Sequence, residues 1–153
     1  MNVVDIAIDS LKNQGFENIK AIDPDTSDAP VSKPISVTDL DGNSNFTIVP
    51  LDARSTQEFH DFIYVVITEN TNELLEVASI SKAPKIYNDR EMQLKLKQNF
   101  PEASFEIIPG YFWQSELRSF LTTARRFKTG NKEMFFLPNG STTDDLNKST
   151  MGA

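Results

Sequence analysis

Residues 62–67, Phe-Ile-Tyr-Val-Val-Ile, are an unbroken run of β-branched and aromatic residues in a chain whose other apolar positions are mostly spaced apart. A run of this length and composition predicts a strand buried on both faces, at the centre of a sheet. On its C-terminal side, Glu69-Asn70-Thr71-Asn72 is turn-forming and Leu74 to Ile80 is again strand-like, so the two segments are expected to pair antiparallel. On its N-terminal side, Ile35 and Val37 lead into Asp39-Leu40-Asp41-Gly42, a turn, and Phe46 to Leu51 returns from it as a hairpin.

Around this sheet the helical signals fall further out. Val4, Ala7, Ile8 and Leu11 recur at helical spacing between a capping Asn2 and a terminating Gly15. Asn88 followed by Glu91 resembles a capping box for a helix bearing Met92, Leu96 and Phe100, closed by Pro101. A third helix is predicted from Ser115, with Leu117, Phe120, Leu121, Ala124 and Phe127 on one face, and a short helical turn over Gln57 to His60. Phe16 to Ile22, Ser104 to Ile108 and Met134 to Leu137 read as further strands, the last at an edge. The expected fold is α/β: a mixed, partly antiparallel sheet of five or six strands flanked by three or four helices. It is read as one domain over residues 1–137, with a flexible polar tail over 138–153.

Composition narrows the chemistry. The chain of 153 residues has no cysteine, which removes disulfides, thiolate metal sites and cysteine nucleophiles. No stretch approaches the length of a membrane span, and the opening Met1 to Asp5 has neither the basic segment nor the apolar run of a signal peptide. The expected location is therefore cytoplasmic, without a membrane, and the sequons at Asn45, Asn139 and Asn147 become chance matches. The net charge of −7 opposes a broad basic face for a phosphate backbone and suits a basic partner surface.

The acidic hairpin is the sharpest chemical suggestion. Asp39 and Asp41 end one strand and Asp52 the next, and clustered carboxylates can hold a hard divalent cation that polarises a phosphodiester and generates hydroxide. Arg54, two residues beyond Asp52, falls on the same strand face. In element order residues 3 to 82 resemble the PD-(D/E)xK restriction-endonuclease-like superfamily, with Asp39 or Asp41 at the first acidic position, Asp52 at the second and Arg54 at the Lys position. No Pro precedes Asp39, and Arg is larger, planar and does not give up its proton. What the resemblance implies is a nuclease dependent on Mg²⁺ or Mn²⁺, with Asp39, Asp41 and Asp52 as metal ligands. As a calcium loop the same stretch fails, because Ser44 and Pro50 stand where Gly and Glu belong.

His60 lies among Glu58 and Asp61 as a candidate base, without the motif of a serine hydrolase, and no phosphate-cradling glycine loop is present. A second constellation is Tyr111 and Trp113 followed by Arg118, Arg125 and Arg126, the residue types of a protein hot spot or of a stacking platform for single-stranded nucleic acid. The leading expectation is a non-catalytic acidic binding or regulatory protein. It would act without a cofactor on a protein partner through these five residues, as an antagonist or accessory factor of a nucleic-acid-processing system. The metal-dependent nuclease is the alternative, and direct contact with nucleic acid stays open.

Overall fold

The computed structural model describes residues 2–25 and 31–146, with the side chain of Glu116 left aside. Among the described residues there are eight strands and two α-helices: α1 (Val3–Asn13), β1 (Ile35–Thr38), β2 (Ser44–Ala53), β3 (Asp61–Thr68), β4 (Leu74–Ser79), α2 (Asp89–Asn99), β5 (Glu106–Phe112), β6 (Ala124–Thr129), β7 (Lys132–Phe136) and β8 (Thr142–Thr143). Strand content dominates, which corrects the expected five or six strands under three or four helices. The chain divides into two compact units, residues 1–36 with 44–83 and residues 37–43 with 84–153.

In the first unit β3 lies between β2 and β4 and is antiparallel to both. It is buried along almost its whole length, as its composition predicts. Alternation then assigns the faces. Val49, Leu51 and Ala53 of β2 and Ile63, Val65 and Ile67 of β3 pack with Ala7 and Leu11 of α1 in one apolar cluster. Full burial of side chains of this size stabilises by about 1.5–3 kcal/mol each. Asn2 caps α1 as expected, its Oδ1 accepting from the Asp5 N–H at 3.0 Å. Residues 16–22 form no strand; they make a single bridge, Lys20 with Asp52.

In the second unit β5 pairs β1 in parallel through Val37 and Thr38, and β6, β7 and β8 follow it in antiparallel order. Asn88 caps α2 through the Glu91 N–H at 2.8 Å, again as expected. Met92 and Leu96 of α2 pack on Phe127 and Phe136.

The predicted third helix is absent: Ser115–Leu117 is one 3₁₀ turn and Ala124–Thr129 is β6. Two local features overrule the helical spacing. Thr122 and Thr123 are β-branched, and Gly130-Asn131 is a two-residue hairpin turn joining Thr129 to its partner Lys132. Gly130 sits at φ 62°, the left-handed region this turn needs. No helix forms over residues 57–60 either. The expected edge strand near Met134 is the interior strand β7, because β8 pairs on its other side and Leu146 beyond it is buried. Residues 147–153, the rest of the expected tail, and the Asn147 sequon lie outside the described residues. No described helix is long and apolar enough to cross a membrane.

Candidate functional site

The carboxylates of the proposed metal site have local duties. Asp39 Oδ1 accepts the backbone N–H groups of Asp41 and Asn43, each at 3.0 Å, and the Asp39 N–H donates to the Asn43 carbonyl. This is Asx-turn chemistry that fixes the reversal leading into β2, and Asp41 is exposed within it.

Asp52 is the ninth residue of β2, and the strand rise carries it roughly 26 Å from Ser44, which follows that turn directly. Among the described residues no three His, Cys, Asp or Glu side chains come together as a metal site would require.

Asp52 is 5% exposed and engaged by Arg54. Arg54 Nε donates to Oδ1 at 3.1 Å, Nη2 donates to Oδ2 at 2.9 Å, and the Arg54 backbone N–H donates to Oδ1 at 3.1 Å. The guanidinium also lies 4.4 Å from the centre of the Phe62 ring. The Arg54 side-chain hydrogen bond, aided by its backbone N–H and the charges of Arg54 and Lys20, holds the Asp52 carboxyl below its ordinary range against the opposing effect of burial. His60 is exposed, in a turn with φ 53°.

The aromatic and arginine constellation separates into an internal and an external part. Arg125 is 3% exposed, so it is no surface hot spot. A bulge in β5 between Ile108 and Phe112 carries Gly110 at φ 115°, and Arg125 Nε donates to the Gly110 carbonyl at 2.8 Å. Its Nη1 donates to the Tyr87 carbonyl at 2.8 Å, Nη2 pairs with Asp89, and the guanidinium sits 4.5 Å from the Tyr111 ring centre. Burial raises the Tyr111 hydroxyl above its ordinary pKa, with Arg125 pulling the other way.

Trp113 is half-buried, its indole N–H donating to the Ser119 carbonyl at 2.8 Å and its ring tilted on Phe120 at 4.8 Å. Arg126 is half-buried on the opposite face from Arg125, 3.9 Å from the Phe112 ring centre, with Nη1 donating to Glu133 at 3.1 Å. Arg118 is exposed, at φ 66° after the 3₁₀ turn.

A feature that sequence reading missed lies on the α2 side of this unit. Phe100, Ala103, Phe105, Phe127, Thr129 and Met134, with Thr142, line an almost wholly apolar cleft of about 110 Å³. Phe100 on its lining is 43% exposed and meets Phe105 edge to face, with ring centres 6.2 Å apart. The signal was present in the sequence as Phe100, Phe105, Phe127 and Met134, but only the pairing of β6 with β7 puts Phe127 opposite Met134.

The first unit offers a different surface. Its residues carry twelve acidic against five basic side chains, the whole net charge of −7, whereas the second unit has ten of each. Glu17, Asn18, Ser55, Gln57 and Glu58 line a polar cleft of about 300 Å³ there. No protein-family model, curated protein or solved structure matches this chain.

Proposed function

We propose that the chain is a non-catalytic binding protein that acts on a protein partner, and that its contact surface is the apolar cleft of the second unit. The observation carrying this reading is the cleft itself, about 110 Å³ lined by Phe100, Phe105, Phe127 and Met134. Apolar cavities of ~150 Å³ take up a benzene-sized guest, so this one suits a single aliphatic or small aromatic anchor from a partner. The engaged states of Asp39 and Asp52 support the same side, since each already serves a turn or an ion pair. A role as antagonist or accessory factor fits a protein that works by occupancy.

The test compares three immobilised full-length proteins, wild type, Phe100→Asp and Leu94→Asp, each exposed to lysate at physiological salt after circular dichroism has verified the fold. Leu94 is exposed on α2 and does not line the cleft. A protein retained by wild type and Leu94→Asp but lost with Phe100→Asp supports the reading. Equal retention by all three, or retention by none, overturns it. So does cleavage of plasmid or single-stranded nucleic acid with Mg²⁺ or Mn²⁺ that disappears in Asp52→Ala.

A further inference from the structure

The polar cleft of the first unit lies between two short segments whose backbones are fixed. Beyond Asn13 of α1 the Gln14 and Phe16 N–H groups donate to the Leu11 carbonyl and the Gly15 N–H to the Lys12 carbonyl, each at 3.0 Å. This closure ends the helix and sends the chain through Glu17 and Asn18 along one wall. The other wall follows β2. There the buried Thr56 hydroxyl donates to the Ala53 carbonyl at 2.7 Å and accepts the Phe59 N–H at 3.2 Å.

Two ties join the walls. The Phe16 and Phe59 rings are 5.3 Å apart, and Lys20 and Asp52 exchange backbone hydrogen bonds at 3.1 and 2.9 Å. The space is thus held by backbone and ring contacts and does not depend on its own lining side chains, so a ligand would not have to order it.

The lining is Gly15, Glu17, Asn18, Ser55, Gln57 and Glu58 around Thr56. Among the described residues the side chains of Glu17, Asn18, Ser55, Gln57 and Glu58 make no hydrogen bond or ion pair. Elsewhere in the unit Asp52 serves Arg54, Asp61 the Phe62 and Ser81 N–H groups, and Glu69 the Thr47 hydroxyl. The cleft therefore offers two carboxylates and three further acceptor oxygens, and Gly15 brings the negative end of the α1 dipole to the same place. Arg54 is engaged by Asp52, and neither Lys12 nor Lys20 lines the cleft.

Size and polarity narrow the ligand. About 300 Å³ is far more than a bare ion fills and stands at the lower end of small-molecule sites, roughly 300–1,000 Å³. The lining is polar, so apolar burial adds little and charge with hydrogen bonding must carry the affinity. An anion would meet Glu17, Glu58 and the field of a unit bearing the whole net charge of −7.

We infer that this cleft takes a small organic cation of the alkylammonium or guanidinium class, its N–H donors meeting Glu17 and Glu58. The inference concerns the first unit and does not depend on the apolar cleft of the second.

The probes are putrescine, the neutral diol of the same chain length, agmatine, and the capped peptide acetyl-Gly-Arg-Gly-amide. Each is titrated into isotopically labelled full-length protein at low and physiological salt, and amide chemical shifts are followed. Glu17→Gln and Glu58→Gln keep the side-chain size and remove the charge. Glu73→Gln removes an exposed charge of the same unit outside the cleft.

The expected result is saturable shifts confined to residues 15–18 and 55–58 with putrescine or agmatine, weakened by salt and at least about tenfold weaker with the diol. Glu17→Gln and Glu58→Gln should each lower affinity about fivefold, the upper end for an exposed ion pair, and Glu73→Gln should leave it unchanged. Saturation by the arginine peptide but by neither free amine also supports the cation site and assigns its source to a protein side chain. Shifts scattered over the acidic residues of the unit, an equal loss with Glu73→Gln, equal affinity for the diol, or no saturation by any of the organic cations overturns the inference. Mg²⁺ or Ca²⁺ saturating the same amides where the organic cations do not would make the cleft a metal site and overturn it as well.

Discussion

Arg54 closes on Asp52 through both ends of its guanidinium, at 3.1 and 2.9 Å, while Asp52 is buried and Arg54 remains half-exposed. The planar fork matches a carboxylate in a way that an ammonium does not. The same residue pair that invited comparison with an acidic-x-Lys nuclease strand is thus a structural ion pair at the end of β2.

Its removal should appear in the acid limb of stability. Asp52 titrates below its ordinary value in the folded chain because of Arg54, and Asp61 does so because of hydrogen bonds from Ser81 and the Phe62 N–H. A carboxyl with a depressed folded pKa stabilises above its unfolded pKa of 3.8 and loses that contribution as pH falls through the folded value. Asp52→Asn should therefore cost about 1–2 kcal/mol near neutrality, discounted for the exposure of Arg54. The gap to wild type should close below about pH 4. Urea unfolding of both proteins at stepped pH checks this; a gap that widens on acidification would refute it.

Two adjacent arginines should behave oppositely. Arg125 is itself buried and places three donors on Gly110, Tyr87 and Asp89 inside the second unit, so Arg125→Ala loses a packed side chain with its hydrogen bonds and should cost about 2–3 kcal/mol. Arg126 is half-buried, holds Glu133, and has a buried Nε without a partner among the described residues. Arg126→Ala should cost about 1 kcal/mol or less. Thermal unfolding of the two variants distinguishes them, and similar losses would mean that Arg125 is not the internal fork described here.

What could be read from the residues follows the range of the interaction. The caps Asn2 and Asn88 act on N–H groups three residues away, and the 62–67 run carries its own burial, so these were legible. The segment 115–129 was not, because Leu117, Leu121 and Ala124 satisfy a helical period while Arg125 and Phe127 alternate with Arg126 and Lys128. The decisive cue was Gly130-Asn131, just beyond the misread segment. The apolar cleft was not legible, since it exists only once β6 and β7 are in register.

Gly130 provides a test of that hairpin. A Cβ added there meets nothing within 4 Å, so any cost is conformational. Gly130→Asn should be nearly neutral, because Asn tolerates φ near 60°, whereas Gly130→Val should destabilise by about 1–2 kcal/mol. Equal stability of the two variants in denaturant would show that the turn does not require the left-handed region.

Leu94 and Phe100 are the exposed large apolar residues of the α2 region, at 53% and 43%, and they should separate solvent exposure from function. Leu94 is on the outer face of α2, away from Met92 and Leu96, and Leu94→Lys should change stability by less than about 0.5 kcal/mol. Phe100 ends the helix and meets Phe105, so Phe100→Lys loses one aromatic pair, about 0.5–1.5 kcal/mol, and the apolar rim of the cleft. Isothermal titration with a partner isolated through the wild-type protein should give unchanged affinity for Leu94→Lys. For Phe100→Lys it should give a loss of about thirtyfold, the equivalent of ~2 kcal/mol at a hot spot. Equal losses for the two would place the contact on α2 at large and remove the cleft from it.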